Sequence, residues 1–195
     1  YTANADYNTV MATDGFVNVT GAASTSTTDN LITPGTGNDI IVLSTTLGAT
    51  TAASSNETIK IEAGFGNDVI LNFATTGPGV DHIDFTALGG LTFTAAYTTD
   101  KSVNVETAVA VPTGSTAEAV IAAKYSAANT VAQTHVFVNV SATNPGVGTV
   151  YSITDPVGAS NAVATNQGTI NLAGAAWLGA AGVAAANFVN STAAG

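Results

Sequence analysis

Two stretches of the chain share one pattern: Gly35-Thr36-Gly37-Asn38-Asp39-Ile40-Ile41-Val42 and Gly64-Phe65-Gly66-Asn67-Asp68-Val69-Ile70-Leu71. Each begins with a Gly-x-Gly-Asn-Asp turn and runs into a short apolar strand, and an acid followed by another apolar strand precedes each turn. Glycine permits positive φ, so the chain can reverse tightly and its carbonyl groups can face a common centre. The pattern predicts stacked turns and parallel strands, with Ile41 and Ile70 facing the interior.

The aspartate that ends each turn adds a carboxylate to these carbonyl groups. Carbonyl and carboxylate oxygens at flexible spacing are the ligands that calcium prefers. Without a cation the stacked carboxylates would repel one another, so metal binding would contribute to folding. The alternative is a turn aspartate that only hydrogen-bonds its own backbone, but the recurrence of the turn between apolar strands favours calcium. The predicted ligands are Gly35, Gly37, Asp39, Gly64, Gly66 and Asp68.

Two further acids, Asp29 and Glu57, stand before the first strand of each copy. They fit a calcium ligand and an ordinary turn acid equally well, so both are carried as candidate ligands.

The two turns resemble the nonapeptide repeats of the RTX family (repeats in toxin), which form a glycine- and aspartate-rich parallel β-roll. The family pattern is Gly-Gly-x-Gly-x-Asp-x-apolar-x, and its first glycine is replaced here by Pro34 in one copy and by Ala63 in the other. The resemblance therefore implies a short roll with about one to three calcium ions rather than a long regular array.

A third stretch is similar to the segment that closes the roll in RTX proteins secreted by the one-step (type I) exporter: Gly79-Val80-Asp81-His82-Ile83-Asp84-Phe85-Thr86-Ala87-Leu88-Gly89. By that match, Asp81 and Asp84 are candidate ligands of the last ion. Later motifs resemble the C-terminal target regions of type I secreted proteins, which implies a contact with the type I secretion machinery. These motifs lie at 135–138, 148–155, 168–174 and 184–189.

The resulting fold class is mainly β, a short RTX-like parallel β-roll that continues into a β-rich C-terminal region with one or two short helices. We expect an N-terminal strand and loop segment (1–27), the calcium-binding roll (28–90) and a region similar to a secretion target (91–195). Strands are predicted at 15–20, 91–97, 103–111, 135–140, 148–153 and 168–172. A helix is predicted at 117–124, and the Ala-rich run 173–188 reads as a short helix or as a loop with a 3₁₀ turn. Trp177 and Phe188 are expected core anchors.

The composition narrows the class of partner. The chain of 195 residues has a net charge of −10, with 13 acids and only three basic residues, all lysines. Because nucleic-acid binding needs clustered Lys and Arg, this charge excludes a nucleic-acid partner. No apolar run reaches the ~18 residues of a transmembrane helix, so we expect no membrane insertion. The absence of cysteine removes disulfides and thiolate metal sites, which leaves a bound cation as a source of stability.

The N-terminus, Tyr1-Thr2-Ala3-Asn4, lacks the basic and apolar regions of a signal peptide and has no initiator Met. We expect the chain to be a processed or excised part of a longer protein.

The sequence shows no catalytic motif. It contains neither a His-Glu-x-x-His helix nor a Gly-x-Ser-x-Gly elbow. His82 lies between two acids, but a zinc site would need companions other than His135, so a histidine on a strand surface is favoured. Carboxylates in a calcium turn are held ionised, which is wrong for a general acid. We therefore expect no enzyme activity in this chain.

The expected function is an extracellular calcium-binding structural module of a bacterial surface protein, of the S-layer or matrix type, that self-associates into an array or filament. An alternative is a C-terminal secretion and folding module of a larger secreted enzyme, toxin or adhesin. A carbohydrate-binding β domain is a third reading. It would need aromatic side chains at strand tips, and the aromatics, 7% of the chain, are scattered.

Overall fold

The computed structural model describes residues 16–18, 30–43, 57–76, 79–125, 127–158 and 161–189. Its strands are β1 (Phe16–Asn18), β2 (Asn30–Ile32), β3 (Ile40–Val42), β4 (Glu57–Lys60), β5 (Gly66–Leu71), β6 (His82–Asp84), β7 (Thr92–Phe93), β8 (Ser102–Thr107), β9 (Gln133–Val140), β10 (Val147–Asp155) and β11 (Val163–Ala173). The described ranges also contain the α-helix α1 (Ala117–Ala122) and the 3₁₀ turns Thr86–Leu88, Ala123–Tyr125 and Ala185–Asn187.

The strands form two sheets. The larger has eight strands in the order β1-β3-β5-β11-β10-β9-β8-β7, and the smaller has three in the order β2-β4-β6. Strand β10 runs antiparallel to both of its neighbours, whereas the other pairings of the large sheet are parallel. The predicted mainly β class is therefore confirmed, with one short helix in the described residues, but the sheets are mixed rather than those of a parallel roll throughout.

From β2 to β6 the chain alternates between the two sheets. Strands β2, β4 and β6 pair in parallel in the small sheet, and β3 and β5 pair in parallel in the large one. One isoleucine of each strand is fully buried between the sheets, in the order Ile32, Ile41, Ile59, Ile70 and Ile83. Burying these side chains removes a large apolar area from water, which is the main force that holds the sheets together. The predicted inward orientation of Ile41 and Ile70 is confirmed.

Strand β11 extends this part of the large sheet. It pairs in parallel with β5, so that Gly168 lies opposite Gly66 and Ile170 lies opposite Asp68. A Cβ on Gly168 would overlap the carbonyl oxygen of Gly66, and a Cβ on Gly66 would overlap that of Gly37. Three successive strands therefore approach closely at glycine, and the last of them comes from a segment about 100 residues further along the chain.

The C-terminal segment pairs with β6, the edge strand of the smaller sheet. Phe188 bridges to Ile83 of β6, and the amide of Val189 donates to the Ile83 carbonyl over 3.3 Å. The Phe188 ring stacks on Phe85 and on Phe93, with centroids 6.0 and 5.1 Å away. Trp177 is fully buried and Phe188 is 3% exposed, so both predicted core anchors are confirmed.

Several predicted elements differ in length from the observed ones. The helix at 117–124 is present as α1 plus a 3₁₀ turn, and Thr116 caps its start by accepting a hydrogen bond from the Ala119 amide over 3.2 Å. The strand predicted at 91–97 is observed only as the two residues of β7. The Ala-rich run 173–188 contains only the turn Ala185–Asn187, because the chain folds back where the Val183 amide donates to the Ala176 carbonyl. The predicted strand at 15–20 is described only over β1.

None of the helices in the described ranges is long and apolar enough to cross a membrane.

The glycine stack gives a prediction. Gly66→Ala should lower the free energy of unfolding by roughly 2–5 kcal/mol, because positive φ opposes an L side chain and the new Cβ would also overlap the Gly37 carbonyl. Gly64→Ala is the matched control: Gly64 has a φ of +69° but nothing within 4 Å of the added carbon. It should lose only about 1–2 kcal/mol. Urea unfolding followed by circular dichroism measures both, and equal losses would show that close stacking does not require glycine at position 66.

Candidate metal centre

The two Gly-x-Gly-Asn-Asp turns stack on one another at the start of β3 and β5. Asp68 Oδ1 accepts a hydrogen bond from the Asp39 amide over 3.0 Å, and the Val69 amide donates to the Asp39 carbonyl over 2.8 Å. One residue earlier, Asn38 Oδ1 accepts from the Asn67 amide over 2.8 Å. The first pair of predicted ligands, Asp39 and Asp68, is therefore brought together on neighbouring rungs, where a rung is one turn together with the strand that follows it.

Both of these aspartates are buried, at 1% exposure each. Among the described residues, no hydrogen-bond donor meets Asp68 Oδ2. Burial raises the pKa of Asp68 to about 7, the Asp39 amide lowers it, and the nearby Asp39 carboxylate raises it further. A carboxylate kept from water, with one oxygen that accepts nothing, needs either a proton or a cation.

The glycines of these turns take the conformation that the sequence predicted. Gly35, Gly37, Gly64 and Gly66 all have positive φ. Their carbonyl groups are thereby free to point away from the strand direction, which is the geometry that a cation-binding turn uses.

A second pair of acids, Glu57 and Asp81, forms at the start of β4 and β6. Asp81 Oδ1 accepts from the Glu57 amide over 3.1 Å, and its Oδ2 accepts from the Ala74 amide over 2.7 Å. Both acids are 1% exposed. Burial raises the pKa of Asp81 to about 8, with further contributions from a hydrogen bond and charge repulsion between the two carboxyl groups.

Asn187 supports this second pair from the C-terminal segment. Its Nδ2 donates to the carbonyls of Asp81, over 3.0 Å, and Ala74, over 3.3 Å, while its Oδ1 accepts from the Ala184 amide over 2.9 Å. The side chain is fully buried. The position of Asp81 therefore depends on a residue about 100 positions away, a contact that sequence reasoning missed because the motif at 184–189 does not show which distant residue Asn187 contacts.

The two pairs lie in different sheets. Strands β3 and β5, which carry Asp39 and Asp68 at or beside their starts, belong to the large sheet. Strands β4 and β6, which carry Glu57 and Asp81 at or beside their starts, belong to the small one. The predicted ligands thus converge as two separate pairs. Asp84 joins neither: its Oδ1 accepts from the Thr86 amide over 2.8 Å, which is a local turn bond. Asp29 lies outside the described residues.

The donor set fits a hard cation only with help from the backbone. Within the described residues, no group of three or more His, Cys, Asp or Glu side chains is placed to hold a metal ion. Each acid pair would therefore supply two carboxylates, and turn carbonyls or water would supply the remaining oxygens, a mixture that calcium accepts. His82, half-buried on β6, lies outside both pairs.

Sequence reasoning also missed that β11 follows β5 in the glycine stack and that the row of acids formed by Asp39 and Asp68 ends there. Gly168-Thr169-Ile170-Asn171-Leu172 repeats the spacing of Gly66-Asn67-Asp68-Val69-Ile70, but Ile170 stands where the turn carries Asp68. Thr169 Oγ1 donates to Asn67 Oδ1 over 2.7 Å, and Gln167 Oε1 accepts from the Gly64 amide over 2.8 Å. The signal that could have revealed this pairing is the spacing that the two stretches share. In each of them a glycine is followed two residues later by an acidic or an apolar residue.

No family model, curated protein or solved structure matches the chain. The two pairs of buried acids are therefore interpreted from their geometry alone.

The raised pKa values give a pH prediction. Without calcium, the free energy of unfolding should fall as the pH rises from about 4 to about 8. The folded-state pKa values of Asp68 and Asp81, about 7 and about 8, lie above the unfolded value of 3.8, so the folded state binds more protons in this window. The stabilisation is complete below the unfolded pKa and is lost through the folded pKa values.

Urea midpoints of chelator-treated protein across this window measure the effect. Asp68→Asn is neutral at every pH and should flatten the part of the curve that centres near pH 7. Stability that rises with pH over the same window would contradict the prediction.

Proposed function

We propose that the chain is an extracellular calcium-binding structural and assembly module of a bacterial surface protein, of the S-layer or matrix type, exported by a type I system. The observation that carries the proposal is the stack of two glycine turns that buries Asp39 and Asp68 on adjacent rungs. In this proposal the segment predicted as a roll (28–90) is a short RTX-like β-roll, and the parallel pairing and alternation of β2 to β6 support it.

Calcium would replace the protons that the buried acids otherwise need. Two carboxylates on neighbouring rungs repel each other when both are ionised, and their burial adds to that cost. A divalent cation between them removes the repulsion, so its binding free energy becomes folding free energy. Asp68 Oδ2, which meets no donor in the described residues, is the oxygen best placed to bind it.

The same geometry limits the number of ions. Ile170 takes the place of the acid on β11, the strand next to β5, and its side chain has no oxygen, so the row of acids ends at β5. The two pairs support a stoichiometry of one ion at Asp39 and Asp68 and one ion at Glu57 and Asp81. This number lies within the about one to three ions expected for a short roll.

A structural role is favoured over catalysis. The described residues do contain a serine–histidine contact, with Ser102 Oγ and His135 Nδ1 2.9 Å apart, but both side chains are fully buried. A nucleophile needs access to substrate, and this one has none. The acids of both pairs are likewise buried, at 1% exposure each, so a substrate bond has no access to them.

Export would couple to calcium. Inside the cell, where calcium is scarce, the acid pairs would keep the roll loose enough for secretion, and outside the cell the ion would close it. Self-association into an array or filament would follow folding, because the paired coils then present a fixed surface.

A second candidate is a secretion and folding module at the C-terminus of a larger secreted protein. The observation that favours it is the tight connection between the two regions: Phe188 adds to the edge of β6, and Asn187 holds the Asp81 segment. The region similar to a secretion target and the roll would then fold as one unit. A catalytic or adhesive domain encoded upstream in the gene would favour this candidate, whereas an ordered array formed by the chain alone would favour the first.

Calcium titration followed by circular dichroism and light scattering together tests the proposal. At a calcium concentration 100-fold above its Kd, the folded state should gain about 2.7 kcal/mol of stability for each bound ion. Light scattering should rise only after folding, and a chelator should reverse both changes.

Asp68→Asn should remove the part of the calcium-dependent gain that comes from the ion at Asp39 and Asp68, about half of it, and leave the part from the ion at Glu57 and Asp81. Asp84→Asn is the matched control, because an amide oxygen can still accept the Thr86 hydrogen bond and Asp84 lies outside both acid pairs. Equal unfolding curves with calcium and with chelator, or equal responses in the two variants, would rule out the proposed role of the acid pairs.

A further inference from the structure

A second buried polar network lies away from the acid pairs, where β8, β9 and β10 meet the 3₁₀ turn that ends at Tyr125. Asn104 orders it: its Nδ2 donates to the carbonyls of Thr94, over 2.6 Å, and Ala96, over 3.3 Å. Its Oδ1 must therefore accept, and it receives the hydroxyls of Ser102 and Tyr125, each over 2.8 Å.

This order fixes the tautomer of His135. The single hydroxyl proton of Ser102 is used at Asn104, so at the 2.9 Å contact Ser102 Oγ accepts from Nδ1–H of His135. Burial lowers the pKa of His135 and outweighs the opposing effects of Asp155, Asp100 and the Thr99 carbonyl, so the ring is neutral at pH 7. A neutral ring protonated at Nδ1 leaves Nε2 as a bare acceptor. No described residue donates to it.

A second bare acceptor lies beside it. Asp155 is diagonal to His135 across the β9–β10 pairing, since Asp155 is opposite Gln133 and Ile153 is opposite His135. Diagonal neighbours of this kind are about 7–8 Å apart, within reach of each other's side chains. Asp155 is 2% exposed, and its Oδ2 accepts from Asn129 Nδ2 over 3.0 Å. Its Oδ1 has no hydrogen-bond partner in the described part of the chain.

A cavity of about 240 Å³ opens beside Asp155. Its walls include Tyr97, Tyr125, Asn129 and Gln133, and its rim includes the 68%-exposed Val131. The two tyrosine rings meet edge to face with centroids 5.2 Å apart, and Tyr125 lies 4.6 Å from the His135 ring. The volume exceeds the roughly 30 Å³ of one water molecule, so a small organic group fits.

We propose that this cavity binds a small primary ammonium group, with the carboxylate of Asp155 as its acceptor. An ammonium group fits the lining: it carries three donors and a positive charge, and the cavity offers a buried carboxylate with one unpartnered oxygen and two tyrosine rings in its walls. Two common sources of this chemistry are a lysine side chain and an aminated sugar.

Other occupants fit less well. Calcium takes about six to eight oxygen ligands, and Asp155 is the one carboxylate among the described residues that line the cavity. A transition metal would need more than one histidine and one carboxylate, and the described residues supply no larger group here. A single water could donate to Asp155 Oδ1, but it would leave the charge of Asp155 uncompensated and most of the cavity unused.

The test is a titration of the full chain, in calcium buffer, with propylammonium followed by NMR. Saturable shifts of the His135 ring nitrogens and of the Asp155 carboxyl carbon are expected. Tetramethylammonium has the same charge but no N–H donor, and it should bind at least tenfold more weakly. Equal affinities for the two cations, or shifts that do not saturate, would overturn the proposal and leave an ordered water as the occupant.

Variants locate the site. Asp155→Asn should weaken propylammonium binding at least tenfold, because the introduced amide has no charge and its Nδ2 is itself a donor. Glu118→Gln is the control of equal charge change, on helix α1 and outside the cavity lining, and it should leave the affinity unchanged. Unchanged affinity in Asp155→Asn would overturn the assignment, and the comparison of the two cations on the unmodified chain does not depend on this variant folding.

The source of the ammonium group follows from two further probes. Nα-acetyl-lysine methylamide represents a lysine of another chain, and glucosamine represents an aminated glycan. Tighter binding of either relative to propylammonium supports the proposal and assigns its source, and failure of both to bind would overturn it.

Discussion

The close approach of glycine backbones is the constraint on which the rest of the structure depends. Gly37, Gly66 and Gly168 stack so tightly that a Cβ at either of the last two would overlap the neighbouring carbonyl. The acid two residues after the glycine therefore lies next to the neighbouring turn, and Asp68 accepts a hydrogen bond from the amide of Asp39. The buried carboxylates are thus a direct consequence of the turn that makes the strands stack.

Strand β11 connects the two parts of the molecule. On one side it pairs in parallel with β5 and completes the glycine stack, and on the other it pairs antiparallel with β10. Because Ile170 replaces the acid on this strand, the row of carboxylates stops where the antiparallel part of the sheet begins. The apolar residue lets the core continue without a further buried charge, which would have required a proton or a cation.

The sequence predicted the local parts of this arrangement and missed the long-range ones. The repeated turns predicted parallel stacking and the inward isoleucines, because the glycine, aspartate and apolar positions recur at fixed short spacing. The pairing of β11 with β5 was missed because residues about 100 positions apart define it and Ile170 hides the repeat. The partners of Asp81 and His135 were missed for the same reason, since Asn187, Ser102 and Asn104 acquire their roles only through distant contacts.

The low content of basic residues explains why both polar sites point to an external cation. Of the three lysines, Lys60 pairs with Glu62 and Lys124 pairs with Glu106, while Lys101 is exposed. Neither salt bridge reaches a fully buried acid, and the chain has no arginine to do so. Burial raises the pKa of Asp68, Asp81 and Asp155 in the same direction and for the same physical reason. A fold that buries carboxylates without basic side chains of its own must retain protons there or take its positive charge from its surroundings.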